Sequence, residues 1–243
     1  MDADAISDAL ELLSTHDHAR ARGREVDTLR GLRGTPDGEV ARIAASTWLD
    51  SRPKWPRDRD ELDQLFGTAL EDGLVAIALL GGLLVDDPAG AYELGLDWLE
   101  KVDDVLTADA LGTVILGPGL LATGAAADLL AVARAAPRPH PRRAAVLAAL
   151  PATGRPVKGP CMSVLRERSG EKHIRFVAEP RTDILSTLMS TFVRDTSPVV
   201  HKGLRRVLRE WRKADKAAAT DWANNVPGGI PKTLRAELGG NKR

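Results

Sequence analysis

The stretch Val199-Val200-His201-Lys202-Gly203-Leu204-Arg205-Arg206-Val207-Leu208-Arg209-Glu210-Trp211-Arg212-Lys213 decides how the chain folds. Val200, Leu204, Val207, Leu208 and Trp211 recur at helical spacing on one face, and Lys202, Arg206, Arg209 and Lys213 recur at i, i+4, i+7 and i+11 on another. Such a segment is a helix with one face in a core and a row of cations on the other. A row of that kind suits backbone phosphates, and its plainer reading is a solvated basic face.

Working outward, the same period recurs in blocks separated by short punctuators, as in a helical-repeat or bundle protein. Thr35-Pro36-Asp37 opens a helix towards Trp48, and Ser51 to Pro56 is a break. Arg59 to Leu70 and Glu71 to Val85 form a pair, and Asp86-Asp87-Pro88 caps a helix from Ala89 towards Leu106. Ala108 to Leu116 is short and stopped by Gly117-Pro118-Gly119, and Leu120 to Ala135 follows. Beyond the linker Pro137-Arg138-Pro139-His140-Pro141 come Arg142 to Leu150, Asp183 to Arg194, Pro198 to Lys213 and Asp215 to Asn224. The composition agrees: 35 Ala and 33 Leu among 243 residues, with 4% aromatics, favour helix over sheet. The expectation is one all-α domain over residues 1–243, a run of antiparallel helices.

One segment departs from the period. Met162 to Arg166 and His173 to Val177, on either side of Ser169-Gly170, read as two short strands around a turn, with Arg166, Arg168, Lys172 and Arg175 projecting. The alternative is an irregular loop or a helix extension. Residues 155–181 as a whole carry seven Lys+Arg against three Asp+Glu and read as a basic β-hairpin insertion.

The net charge of zero hides a segregation. Residues 1–130 hold 25 acidic and 11 basic side chains, whereas residues 131–243 hold 9 acidic and 23 basic. A half this basic is the footprint of a surface that meets a polyanion; pairing of acidic half with basic half, within one chain or between two, is the bland alternative.

Several chemistries are excluded by what is missing. Cys161 is the single cysteine and cannot make an internal disulfide, and no Cys or His pair has metal-ligand spacing, so no metal and no cofactor is expected. No phosphate loop follows a strand, no nucleophile elbow appears, and the five His residues (16, 18, 140, 173 and 201) make no catalytic spacing. Met1 to Asp17 carries five acids and no Lys or Arg, unlike a targeting peptide, which points to the cytoplasm. Leu74 to Val85, twelve apolar residues with Gly81-Gly82, is too short to cross a bilayer and reads as a core helix.

A further informative segment is Asp97-Trp98-Leu99-Glu100-Lys101-Val102-Asp103-Asp104-Val105-Leu106. Read as one helix, it puts Trp98, Leu99, Val102, Val105 and Leu106 on an apolar stripe with Asp103 at its edge, able to look into a cleft, and Asp104 turned to solvent.

These pieces together resemble the AlkD-type DNA alkylation repair proteins, HEAT-like helical repeats curved around duplex DNA. The resemblance runs in order through Leu32-Arg33-Gly34-Thr35-Pro36, Trp98 to Asp103 with Leu111-Gly112, Arg142-Arg143-Ala144-Ala145-Val146-Leu147, and His201-Lys202-Gly203 to Trp211. It implies a cleft holding a Trp, an Asp four residues later, an Arg at the start of a later helix and a second Trp. The Asp falls on Asp103 and the Arg on Arg143, but the two aromatic positions fall on Leu99 and Arg206, with Trp98 about 100° away around the helix. A carboxylate at Asp103 would stabilise the positive charge that builds on the sugar as a cationic base leaves. Arg206 in place of an aromatic face would repel such a base and bind phosphate instead.

The expectation is therefore a monomeric DNA-binding protein for damaged or branched DNA. Arg142, Arg143, Lys202, Arg206, Arg209, Lys213, Arg166, Arg168 and Arg175 would contact DNA, Trp98 and Leu99 would line a cleft, and glycosylase chemistry would be weakened or lost. A working alkylpurine glycosylase using Asp103 and Arg143 is the second reading. A protein-binding helical scaffold is the third.

Overall fold

The computed structural model describes residues 62, 63, 66, 70–158, 161–162 and 175–239. The helix expected from Thr35 and most of the strand pair, with Arg166 and Arg168, lie outside them. All regular structure among the described residues is helical, with no strand. Residues 175–178, expected at the end of a strand, are irregular there.

In chain order the helices are α1 (Leu70–Leu83), α2 (Pro88–Leu99), α3 (Val105–Ala110), a π-helical stretch (Leu111–Leu116), α4 (Gly117–Thr123), α5 (Ala126–Ala135), α6 (Pro139–Leu147), a 3₁₀ turn (Pro151–Thr153), α7 (Thr182–Phe192), α8 (Pro198–Ala214), α9 (Lys216–Asn225) and α10 (Lys232–Leu238). The last of these carries no strong apolar period, and the sequence reading passes over it. Pro88, Pro139 and Pro198 each stand at a helix start, where a missing N–H costs nothing. Asp87 caps α2 by accepting from the Gly90 N–H at 2.9 Å, and Asp215 caps α9 by accepting from Ala218.

The helix expected over Leu120 to Ala135 is split at Gly124, α6 starts at Pro139 inside the expected linker and ends at Leu147, and two further boundaries differ for a local reason. The helix read from Ala89 towards Leu106 is broken after Leu99 by a tight turn in which Lys101 and Val102 donate to Trp98 and Leu99. Asp104 then caps α3, its carboxylate accepting from the Thr107 N–H at 2.9 Å, so it is a structural cap and not a solvated acid. Conversely, Gly117-Pro118-Gly119 stops nothing: α3, the π stretch and α4 run on as one helix over Val105–Thr123. Gly117 N–H reaches back five residues to Gly112, so the ladder has already shifted where Pro118 lacks its donor. This run passes as a membrane span by length and composition, but 72% of it is buried inside the protein, as for a core helix.

The glycines of this helix have a packing role. A Cβ on Gly112 would stand 2.4 Å from the Ala144 carbonyl oxygen, and one on Gly117 would stand 2.6 Å from the Pro151 ring. The backbone of the π stretch therefore lies directly on α6, and the start of α4 lies on the 3₁₀ turn. The helix ends at Gly124, left-handed at φ 74°, a conformation that suits glycine. Around this axis α2 packs on α4, and α6 packs most extensively on α8, which also packs against α9 and α10. The face of α8 with Val200, Leu204, Val207, Leu208 and Trp211 is wholly buried, as its spacing predicts.

Candidate nucleic-acid interface

The tightest polar arrangement joins three helices. Asp109 on α3 accepts from Arg143 of α6 in a fork, Nε at 2.6 Å and Nη2 at 3.1 Å. Its Oδ2 also accepts from Arg206 Nη1 of α8 at 3.1 Å. Arg143 spends Nη1 on the Val199 carbonyl at 2.8 Å, and its side chain is only 8% exposed. The fork geometry makes this a strong, directional pair. Arg143 is thus an internal clamp between α3, α6 and the start of α8.

Arg142 is held in the same manner. Its Nε donates to Asp195 at 2.6 Å and its Nη1 to the Ala136 and Arg138 carbonyls at 3.0 Å, which ties the start of α6 to the loop after α7. Both arginines of the Arg142-Arg143 pair are engaged by carboxylates of the chain itself. The reason lies in partners, Asp195 and Asp109, that are remote in sequence.

The aromatic and acidic residues also sit otherwise than expected. Trp98 is 0% exposed, stacked on Phe66 with ring centroids 4.3 Å apart, and donates from Nε1 to Asp63 at 3.0 Å. Leu99 is equally buried. Both are core side chains and not cleft walls. Asp103 stands in the turn between α2 and α3, with its side chain 71% exposed and one oxygen 3.9 Å from Arg138 Nη1. It is off the helix that carries Trp98, and none of the described aromatic side chains is exposed beside it.

The remaining cations follow α8. Lys202, Arg209 and Lys213 are exposed and Arg206 is half-buried, along one flank of the helix. Lys202 has no ion pair among the described residues. Arg209 and Arg205 converge on Glu237 of α10, at 3.1 Å and 2.7 Å. The Arg209 hydrogen bond, aided by Arg205, holds the Glu237 carboxyl below its usual range against the opposing effect of burial. Lys213 pairs with Glu210 at 2.5 Å, and Arg155, from the segment after the 3₁₀ turn, pairs with the other oxygen at 3.0 Å. Burial pushes the Glu210 carboxyl up, but the Lys213 and Arg155 hydrogen bonds outweigh it and the net shift is downward. Arg206 also donates to the Lys158 carbonyl. Between these groups lies a recess of about 370 Å³, lined by Arg155, Lys158, Arg206 and Lys213 with Glu210, over a floor that includes Leu150 and Val157.

Arg175 is exposed at the end of the basic connection. Cys161 is buried, donates to the Leu74 carbonyl at 3.2 Å, and has its thiol pushed up to about 12 by burial, so it is inert. No group of three metal-ligating side chains occurs among the described residues.

The arrangement offers phosphate-binding chemistry along α8 and no assembled acid–aromatic cleft among the described residues. Asp109, Glu210 and Glu237, the three carboxylates that organise the cations, were not singled out from sequence. Asp109 and Glu210 have only helical phase as a signal, and Glu237 lies on α10, whose sequence carries no strong apolar period. No characterised sequence and no solved structure gives a match to this chain. The family model of the DNA alkylation repair enzyme matches residues 6–237, almost the whole length, and the chain belongs to that family.

Proposed function

We propose that this protein binds the DNA backbone through the cationic flank of α8 and the basic segment that precedes α7, reading phosphates and not base sequence. The observation that carries this reading is the amphipathic division of α8. Its apolar face is sealed in the core while Lys202, Arg206, Arg209 and Lys213 follow one another along the outside, with Glu210 the one acid of the helix. Cations spaced by one helical turn, about 5.4 Å, can each meet a phosphate and release counterions. The successive helix pairs read as HEAT-like repeats, and the basic connection over 155–181 supports a preference for bent, damaged or branched DNA.

The same placements argue against strong glycosylase chemistry. A carboxylate that stabilises developing charge acts best in a dry, preorganised site, whereas Asp103 stands in water, where its field is weakened several-fold. Trp98 and Leu99 are closed in the core and offer no base platform. The test is a binding titration on duplex, mismatched, branched and alkylated DNA at several salt concentrations, run beside an assay for released base. Salt-sensitive binding without rapid base release is expected. Rapid release dependent on Asp103 would transfer the assignment to a glycosylase, and no binding at low salt would remove it.

A further inference from the structure

The recess between the α6–3₁₀ junction and α8 has a chemistry that a passing backbone does not require. Four cationic side chains, Arg155, Lys158, Arg206 and Lys213, surround it, and Glu210 is the one carboxylate in its wall. At about 370 Å³ it falls in the size range of small-ligand sites, and Leu150, Pro156 and Val157 supply apolar wall against which a sugar or base can lie. Arg206 is fixed there from both sides, by Asp109 and by the Lys158 carbonyl. It is therefore set in place before a ligand arrives.

Glu210 has a telling position. It accepts from Lys213 at 2.5 Å and from Arg155 at 3.0 Å, so the protein's own carboxylate already lies between two cations of the recess. A carboxylate held by two cations is the arrangement an incoming anion would share or displace. A bridging diester carries a single charge, whereas a phosphate monoester carries close to two at neutral pH and three acceptor oxygens for lysine and forked arginine donors. A concave site with three more positive than negative side chains suits the monoester.

We propose that this recess binds a phosphate monoester, the group carried by a 5′-phosphorylated DNA end and by a free nucleotide. The DNA-end source rests on the DNA-binding reading above; the free-nucleotide source does not. Glu210 acts as the internal competitor, so its neutralisation opens the site, and Arg155 and Lys158 serve the recess without belonging to the α8 row.

The experiment is a fluorescence-anisotropy titration of the full chain with one short duplex bearing either 5′-phosphate or 5′-hydroxyl ends, and a calorimetric titration with adenosine 5′-monophosphate against adenosine. The phosphorylated duplex is expected to bind about tenfold more tightly than the hydroxyl form, a modest return for the nearly two charges that each 5′-phosphate adds beside several cations. Arg155→Ala with Lys158→Ala should abolish that difference, any loss through the basic connection falling equally on both duplexes, and Glu210→Gln should widen it, an effect opposite in sign to damage by misfolding. Equal binding of both duplexes, with the monophosphate no better than adenosine, overturns the proposal and leaves the DNA-binding reading standing. Binding of the monophosphate but of neither duplex upholds the recess, with the free nucleotide as its ligand, and overturns the DNA-binding reading.

Discussion

Arg206 and Asp109 lie 97 residues apart in the chain and meet at 3.1 Å, on the same oxygen that Arg143 Nη2 also approaches at 3.1 Å. One carboxylate thus holds two guanidinium groups from two helices, one of them almost wholly buried. This contact is the joint between the internal clamp and the external row of cations. Whatever loosens it loosens both.

Asp109→Asn should therefore destabilise the fold, because Arg143 would keep its charge in the interior without a counter-charge. Losing one partner of a buried pair costs about 3–5 kcal/mol, and the residual access of Asp109 places the expectation at the low end, about 3 kcal/mol. A urea unfolding midpoint measures it. An unchanged midpoint would show that the clamp contributes little.

Gly112→Ala tests the close approach that brings Asp109 to Arg143. The added Cβ meets a backbone carbonyl, which cannot rotate away, so α6 must retreat from the π stretch. Overpacking of this kind costs about 1–3 kcal/mol. Thermal unfolding should show the loss, and Gly124→Ala, at a position with open space around it, separates it from the separate strain of a positive φ.

The docking of α10 on α8 should depend on pH through Glu237. Its folded-state pKa is depressed by the Arg209 and Arg205 hydrogen bonds, so its contribution is complete above the ordinary glutamate pKa, about 4.3, and fades as pH falls through the lower folded value. The arginine partners are nearly half exposed, which limits the contribution to about 1 kcal/mol or less. Glu237→Gln should abolish that acid-side loss in an unfolding series. It should also relieve Arg209 of a competing carboxylate and so tighten DNA binding without adding a cation to the α8 row.

Base release should be slow, and Asp103→Asn should leave DNA affinity unchanged. Leu99→Trp, which on sequence grounds would rebuild an aromatic wall, should instead destabilise by about 1–3 kcal/mol, since position 99 is in the core. A stable Leu99→Trp protein with faster base release would place the side chain in a cleft after all.

How much was legible in the sequence follows from which contacts are local. The amphipathic period of α8 states its buried and exposed faces directly, and the Asp87-Pro88 start of α2 and the Pro198 start of α8 are local chemistry, whereas α6 starts at Pro139, three residues before Arg142. The role of Arg143 was not legible, because its partners Asp109 and Val199 lie 34 and 56 residues away. The turn after Leu99 was hidden by an apolar period that continues through Val102 and Val105 across a real break. The Asp104 cap was the overlooked local signal. Gly117-Pro118-Gly119 misled for the opposite reason: glycines that usually end a helix are here demanded by close packing, of Gly117 on the Ala148 carbonyl and the Pro151 ring and of Gly119 on Tyr92 of α2.

The most direct test of the account is the salt dependence of duplex DNA binding for the unmodified chain and for Lys202→Ala, Arg206→Ala, Arg209→Ala and Lys213→Ala. Each removed phosphate contact should lower affinity equally for unrelated sequences and reduce the slope of log K against log salt by about 0.9. Asp109→Asn, which frees Arg206 without removing a cation, should not flatten it. A slope near zero for the unmodified chain, or four variants that bind as it does, would contradict the assignment of the α8 flank to DNA.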